Sequence, residues 1–94
     1  MSLTIHKFSV EIADVQEIPL SPGAKILSIQ HQHNRLFLWA LIDPHAKPVR
    51  RIIECFGTGM QVPDPDANIR LYLTTIQTDH GQFVWHFFDR GERS

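Results

Sequence analysis

Short apolar runs, broken by turn residues, constrain the fold of this chain more than any other feature. The runs are rich in Ile, Val, Phe, Trp and Thr, and they are separated by Pro, Gly, Asp and Asn. This pattern is typical of strands and turns, and the 3.6-residue periodicity of a long amphipathic helix is missing. We therefore predict an all-β (or strand-dominated α+β) fold, built as a small antiparallel sandwich or partly open barrel of five to six strands.

The predicted strands can be placed along the chain. They cover residues 4–11, 25–32, 36–42, 49–56, 69–78 and 82–89. The last two form a C-terminal hairpin through Asp79-His80-Gly81, with Gly81 at positive φ. Residues 18–25, "IPLSPGAK", are interpreted as an extended arm and a turn because they hold two prolines and a glycine. A short helical turn is predicted near 14–17, and the polar tail, 90–94, is expected to fray.

Composition excludes several classes of function. The chain has 94 residues, which is enough for one domain, 1–94, with its own core. Its formal net charge of −1 lacks the basic excess that is typical of nucleic-acid binding. No apolar stretch approaches the ~20 residues of a membrane span. Cys55 is the only cysteine and has no partner for an internal disulfide. These observations favour a soluble, cytoplasmic protein without a membrane partner.

Gly57-Thr58-Gly59 is the clearest candidate for a ligand-binding motif, since it ends an apolar run and is followed by a loop of prolines and aspartates. A dinucleotide motif needs a helix to begin here, and a P-loop needs Gly-Lys-Ser/Thr; the sequence favours neither. The glycines either relax the backbone where a strand leaves the sheet, or expose N–H groups and the Thr58 hydroxyl to an anion or polar ligand. We keep all three residues as candidates for ligand binding.

No catalytic residue, metal ligand or cofactor is predicted. His31 and His33 would face the same way in a strand, but no Cys-x-x-Cys or His-Glu-x-x-His motif accompanies them. Cys55 lies in an apolar run, which gives no reason for an activated thiol. Asp64 and Asp66 stand beside prolines and are interpreted as solvated loop residues.

Aromatic residues are concentrated in the predicted strands, as they are in some proteins that bind single-stranded nucleic acid. Basic residues are not interleaved with them along the chain, and Arg50-Arg51 is an isolated pair. The sequence therefore disfavours nucleic acid as a partner. It assigns these aromatic residues to the core or to an interface: Phe37, Trp39, Phe83, Trp85 and Phe87.

The run "LFLWALI", residues 36–42, is apolar on both faces of a strand. Phe37, Trp39 and Leu41 point to one side, and the intervening residues point to the other. One sheet layer buries only one of these faces in its own core, which leaves roughly 300–600 Å² of apolar surface, the size that marks an interface. We predict a two-fold homodimer through Phe37, Trp39 and Leu41. The competing interpretation is that the arm "EIPLSPG", residues 17–23, folds over this face within one chain.

Three motifs in fixed order, "PGAKIL", "LWALID" and "FGTG", resemble those of a family of small uncharacterised proteins encoded by tailed phages and prophages. The resemblance covers most of the chain. It implies a phage or prophage gene product acting in the bacterial cytosol, and it brings no known activity or site residues. The segment "HQHNR", residues 31–35, departs from the glycine-containing turn of that family, so any role of its histidines is particular to this chain.

These observations predict a non-catalytic module that binds a host protein or a small ligand. Two alternatives remain open. One is an enzyme that acts on a small substrate through His and Asp side chains near the Gly-Thr-Gly motif. The other is a weak binder of single-stranded nucleic acid.

Overall fold

The computed structural model describes residues 2–63 and 69–93, and this part of the chain forms seven antiparallel β-strands. The strands are β1 (Thr4–Val10), β2 (Val15–Leu20), β3 (Lys25–Gln32), β4 (Arg35–Ile42), β5 (Val49–Gly57), β6 (Leu71–Thr78) and β7 (Phe83–Arg93). No α-helix occurs in those two ranges. The predicted all-β fold is confirmed, and it has one strand more than the upper number expected.

The strands form two sheets that pack face to face. β1, β4 and β3 make a three-stranded sheet with β4 in its centre, and β2, β5, β7 and β6 make a four-stranded sheet. Neither sheet, as far as it is described, closes into a barrel, so the architecture is the sandwich of the two predicted alternatives. The core between the sheets is formed by buried side chains from both layers: Val10, Ile18, Leu20, Ala24, Ile29, Leu36, Leu38, Ala40, Ile42, Ile53, Cys55, Ile76 and Phe87.

The segment 15–20 differs from two of the expectations. In place of an arm and a helical turn, β2 pairs with β5 along its whole length, from Val15 opposite Glu54 to Leu20 opposite Val49. Pro19 is compatible with this because β2 is an edge strand, where a residue without an N–H is tolerated. Since β2 belongs to the four-stranded sheet, this segment does not cover Phe37 on the opposite layer.

Residues 90–93 also differ from the expected free tail. β7 extends to Arg93, and Glu92 and Gly91 lie opposite Arg51 and Ile52 of β5. A bulge follows in this pairing, and Gly91 adopts a φ of 96°, which glycine reaches without a steric penalty. The bulge allows the polar end of the chain to stay in the sheet.

Two tight turns fix the register of the hairpins. His33 and Asn34, with φ values of 52° and 63°, make the two-residue reversal between β3 and β4. Between β6 and β7, Gly81 has a φ of 85°, which confirms the positive φ predicted there. The register of β4 that results places every second side chain in the core and the others on the outer surface of the three-stranded sheet.

Candidate functional site

The outer surface of the three-stranded sheet carries the residues predicted as an interface. Phe37, Trp39 and Leu41 lie side by side on the central strand and are half-buried. We define the β4 face as the side chains that the register directs away from the core: Ile5, Lys7 and Ser9 of β1, Arg35, Phe37, Trp39 and Leu41 of β4, and Lys25, Ser28, Gln30 and Gln32 of β3. The strand pairing thus brings the three predicted residues into one surface with neighbours from two other strands.

One end of the β4 face is rich in large aliphatic side chains, with Lys25 of β3 beside them, opposite Leu41. Leu41 lies opposite Ile5 of β1, and Ile5 and the preceding Leu3 are each 56% exposed. On the other side of β4, Leu27 lies at a bulge in β3 and is exposed as well. We call Ile5 and Leu41, together with Leu3 just before β1 and Leu27 at the bulge of β3, the apolar end. It is a patch of large aliphatic side chains that the described part of the chain leaves in contact with solvent.

The other end of the β4 face combines cations with aromatic rings. Lys7 Nζ lies 4.3 Å from the centroid of the Phe37 ring and 2.9 Å from Gln32 Oε1, and the Arg35 guanidinium lies 5.4 Å from the same centroid. The Phe37 and Trp39 rings meet edge to face with centroids 6.1 Å apart. We call Lys7, Gln32, Arg35, Phe37 and Trp39 the cationic end. Sequence analysis missed it because Lys7 is brought to Phe37 only by the pairing of β1 with β4.

The predicted Gly57-Thr58-Gly59 motif forms the turn that ends β5. Met60 donates its N–H to the Gly57 carbonyl oxygen at 3.0 Å, and Gly59 has a φ of 92°. A side chain on Gly57 would place its Cβ 3.2 Å from the Trp85 ring, so glycine allows the close approach of this ring to the strand. These contacts correspond to the strand-ending role that was one of the two open interpretations.

The turn also brings Thr58 to His86, a residue of β7. Thr58 Oγ1 lies 2.7 Å from His86 Nε2, and His86 Nδ1 lies 3.1 Å from Thr75 Oγ1. Thr75 Oγ1 in turn lies 2.6 Å from the Tyr72 hydroxyl. A polar chain from β5 across β7 to β6 results. Thr58 and Thr75 lie 28 and 11 positions from His86 in the sequence, and the strand order β5-β7-β6 makes them its neighbours.

The remaining candidates for chemistry are Cys55, the two histidines His31 and His33, and the two aspartates of the loop. Burial, together with the nearby Asp14 carboxylate, raises the pKa of the Cys55 thiol to about 11, against the opposing effect of a backbone hydrogen bond at His86. His31 is the penultimate residue of β3, and His33 lies in the following turn. No cluster of three potential metal-ligating residues is present in the described ranges. Asp64 and Asp66, which had been interpreted as solvated, lie outside those ranges.

The aromatic residues considered for base stacking are divided between the two sides of the sheets. Phe87 is fully buried and Trp85 packs against the core, as the core assignment predicts. Phe83, the first residue of β7, is exposed and stacks on Trp85 with centroids 6.2 Å apart. Phe37 and Trp39, in contrast, point away from the core.

Within the described chain, no helix is long and apolar enough to cross a membrane. The model of one protein family, described as Domain of unknown function (DUF7352), matches residues 1–94. No curated protein and no solved structure is significantly similar to the chain.

Proposed function

The chain therefore belongs to the family described as Domain of unknown function (DUF7352), and we propose that it is a non-catalytic interaction module that forms a two-fold dimer through the apolar end of the β4 face. The observation that carries the proposal is the exposure of Leu3, Ile5 and Leu27 beside Leu41. Apolar side chains gathered in one exposed patch usually mark a contact surface. A second copy brings an identical apolar patch, which is the commonest solution in soluble oligomers.

The size of the surface indicates how strong this dimer is. Three strands about 4.8 Å apart and seven residues that rise about 3.3 Å each give the β4 face roughly 300 Å² in projection. A stable complex buries about 800 Å² on each partner. We therefore infer a weak dimer whose population rises with protein concentration through the micromolar range. A contact centred on Ile5 and Leu41 keeps the Arg35 side chains of the two copies apart, because Arg35 lies at the opposite end of β4. Lys25, which lies opposite Leu41, belongs to this contact.

Light scattering at increasing protein concentration tests the dimer. The expected result is a mass that rises from one chain, 10.8 kDa, towards two. Ile5→Glu should remain monomeric, because a carboxylate buried in the contact has no partner. Its fold should be unaffected, since Ile5 is exposed in one chain. Leu71→Glu is the matched control: Leu71 is 66% exposed and lies on the four-stranded sheet. A mass of one chain at every concentration would contradict the proposal.

Catalysis at Thr58 is a second candidate, and the 2.7 Å contact between Thr58 Oγ1 and His86 Nε2 favours it. A nucleophile beside a base needs a third group that stabilises the protonated base. Here His86 Nδ1 faces the Thr75 hydroxyl, which carries no charge. The Thr58 N–H is already bonded to the Val84 carbonyl oxygen. The interaction module is therefore the better-supported function. Equal hydrolysis of p-nitrophenyl acetate by the wild type and by Thr58→Val is expected, and hydrolysis that depends on Thr58 would reverse the preference.

The resemblance of the motif order to phage and prophage proteins supports a cytoplasmic setting and a host protein as a further partner. The wild type and the two variants show whether a host protein binds at the apolar end. A host protein recovered from bacterial lysate with the wild type and Leu71→Glu, but lost with Ile5→Glu, would use the apolar end. Equal recovery with all three would exclude it.

A further inference from the structure

We propose that the cationic end of the β4 face binds single-stranded nucleic acid, with bases stacked on Phe37 and Trp39 and phosphates held by Lys7 and Arg35. This function goes beyond the proposed dimer and uses the opposite end of the same face. The proposal rests on the aromatic rings, the cationic side chains and the amide groups that the three-stranded sheet brings together at this end.

The rings stand where sheet-type binders of single strands place theirs. Phe37 and Trp39 are two residues apart on the central strand, so both point outward from the middle of the sheet. Aromatic rings on the central part of a sheet offer stacking platforms for successive bases, and any base can use them. The Lys7 ammonium, 4.3 Å from the Phe37 centroid, now covers one ring. Lys7 is exposed and can move to a phosphate when a base takes its place.

The charges of the β4 face are all of one sign. Lys7, Lys25 and Arg35 belong to it, and every other side chain of this face is neutral. In the described ranges none of the three cations forms a salt bridge with a carboxylate. The cations are therefore available to neutralise an anionic partner, although the net charge of the whole chain is −1.

The other sheet shows that this is not a general property of the surface. Its arginines are paired with carboxylates, two to each glutamate: Arg50 and Arg93 lie near Glu17, and Arg70 and Arg90 lie near Glu54. Among the strand residues of the described ranges, the cations without an ion pair thus lie on the three-stranded sheet, on the side where the outward rings also lie.

Amide groups complete the surface and favour nucleic acid over an acidic peptide. Gln30 lies opposite Phe37, and Gln32 lies opposite Arg35. Each amide offers both donors and an acceptor, which the edges of an unpaired base require. An acidic peptide would satisfy the cations but would leave the Phe37 and Trp39 rings without a stacking partner.

Fluorescence anisotropy with a fluorescein-labelled thymidine oligonucleotide tests the proposal. At low salt we expect saturable binding. The logarithm of the observed association constant should fall linearly with the logarithm of salt concentration, with a slope of about −0.7 for each phosphate contact. Lys7→Gln and Arg35→Gln should each weaken binding and flatten this slope by about 0.7. Arg93→Gln, which removes a charge from the other sheet, should change neither quantity.

A ring variant distinguishes stacking from simple charge attraction. Phe37→Leu should weaken binding about fivefold or more, the lower range for loss of one stacked base, with the salt slope unchanged. A urea titration of each variant checks its fold. If Phe37→Leu unfolds, the proposal is still tested by the effect of Lys7→Gln on binding. Three results would each overturn the proposal: no saturable binding by the wild type, wild-type binding by folded Phe37→Leu, or equal competition by a polyglutamate peptide. Tighter binding of a duplex than of the single strand would do the same.

Discussion

Arg51 Nη1 lies 2.8 Å from Asp89 Oδ2, in an ion pair whose side chains are only 8% and 12% exposed. Nη2 donates a hydrogen bond to the Ala24 carbonyl oxygen at 2.7 Å and lies 3.5 Å from Glu92 Oε1. The guanidinium therefore joins β5 and β7 to the turn before β3 at one end of the core. Removal of one partner of such a buried ion pair is destabilising chiefly because the other charge stays buried without compensation.

Removal of Arg51 should destabilise the fold strongly. Arg51→Ala leaves the Asp89 carboxylate buried without its cation, and we expect the free energy of unfolding to fall by about 3–5 kcal/mol. Arg93→Ala is the control, since its side chain is 60% exposed in a pair with Glu17, and it should cost about 0–1 kcal/mol. Urea denaturation followed by tryptophan fluorescence measures both values. Similar losses for the two variants would show that the Arg51 pair contributes no more than a surface pair.

The position of Arg51 illustrates what the sequence could and could not predict. The pattern of apolar and turn residues was sufficient to predict β4 and the β6–β7 hairpin, because these residues follow one another at regular spacing there. It was insufficient for Arg50-Arg51, which was interpreted as an isolated basic pair. The register of β5 directs Arg51 inward, and a carboxylate 38 residues away makes that burial possible. β2 was missed because its proline and glutamate weaken the strand pattern.

The thiol of Cys55 should be almost inert in the native protein. Burial and the nearby Asp14 raise its pKa to about 11 from the ordinary value of 9.0. Only a minute fraction is thiolate at neutral pH, so we expect very slow reaction with a disulfide reagent in buffer and rapid reaction in denaturant. Rapid reaction of the folded protein would contradict the buried environment.

The same shift predicts a loss of stability at alkaline pH. Because the folded pKa lies above the unfolded value, the contribution of the protonated thiol is complete below pH 9 and is lost as pH rises from about 9 to 11. Cys55→Ala lacks this titration, so its stability should fall less steeply over that interval than that of the wild type. Parallel curves for the two proteins would refute the prediction.

Gly59 should be required by its backbone conformation alone. Its φ is 92°, and a Cβ built on it meets no atom within 4 Å. Gly59→Ala should therefore lower the free energy of unfolding by about 1 kcal/mol or more through strain, and Gly59→Asn should lower it less, because asparagine tolerates positive φ better. Urea titration gives both values. Normal stability of Gly59→Ala combined with lost dimer or oligonucleotide binding would instead make this turn a binding site.

The two candidate surfaces show a similar limit of sequence analysis. Phe37, Trp39 and Leu41 were identified because one apolar strand cannot hide both of its faces. Their neighbours Lys7 and Ile5 come from β1, more than 25 positions earlier, and no local pattern links them. Thr58 was identified from its glycines, whereas His86 required the pairing of β5 with β7.

The two ends of the β4 face should separate in function. Ile5→Glu adds a carboxylate to the apolar end, so it should abolish the dimer, and the oligonucleotide affinity of each chain should fall only slightly through the added negative charge. Phe37→Leu removes a ring at the cationic end and should weaken oligonucleotide binding about fivefold or more while the dimer persists. Light scattering and anisotropy on the same preparations give both readouts. If either variant abolished both activities with its fold intact, the two ends would form one site, and the partner that binds there would compete with the second copy.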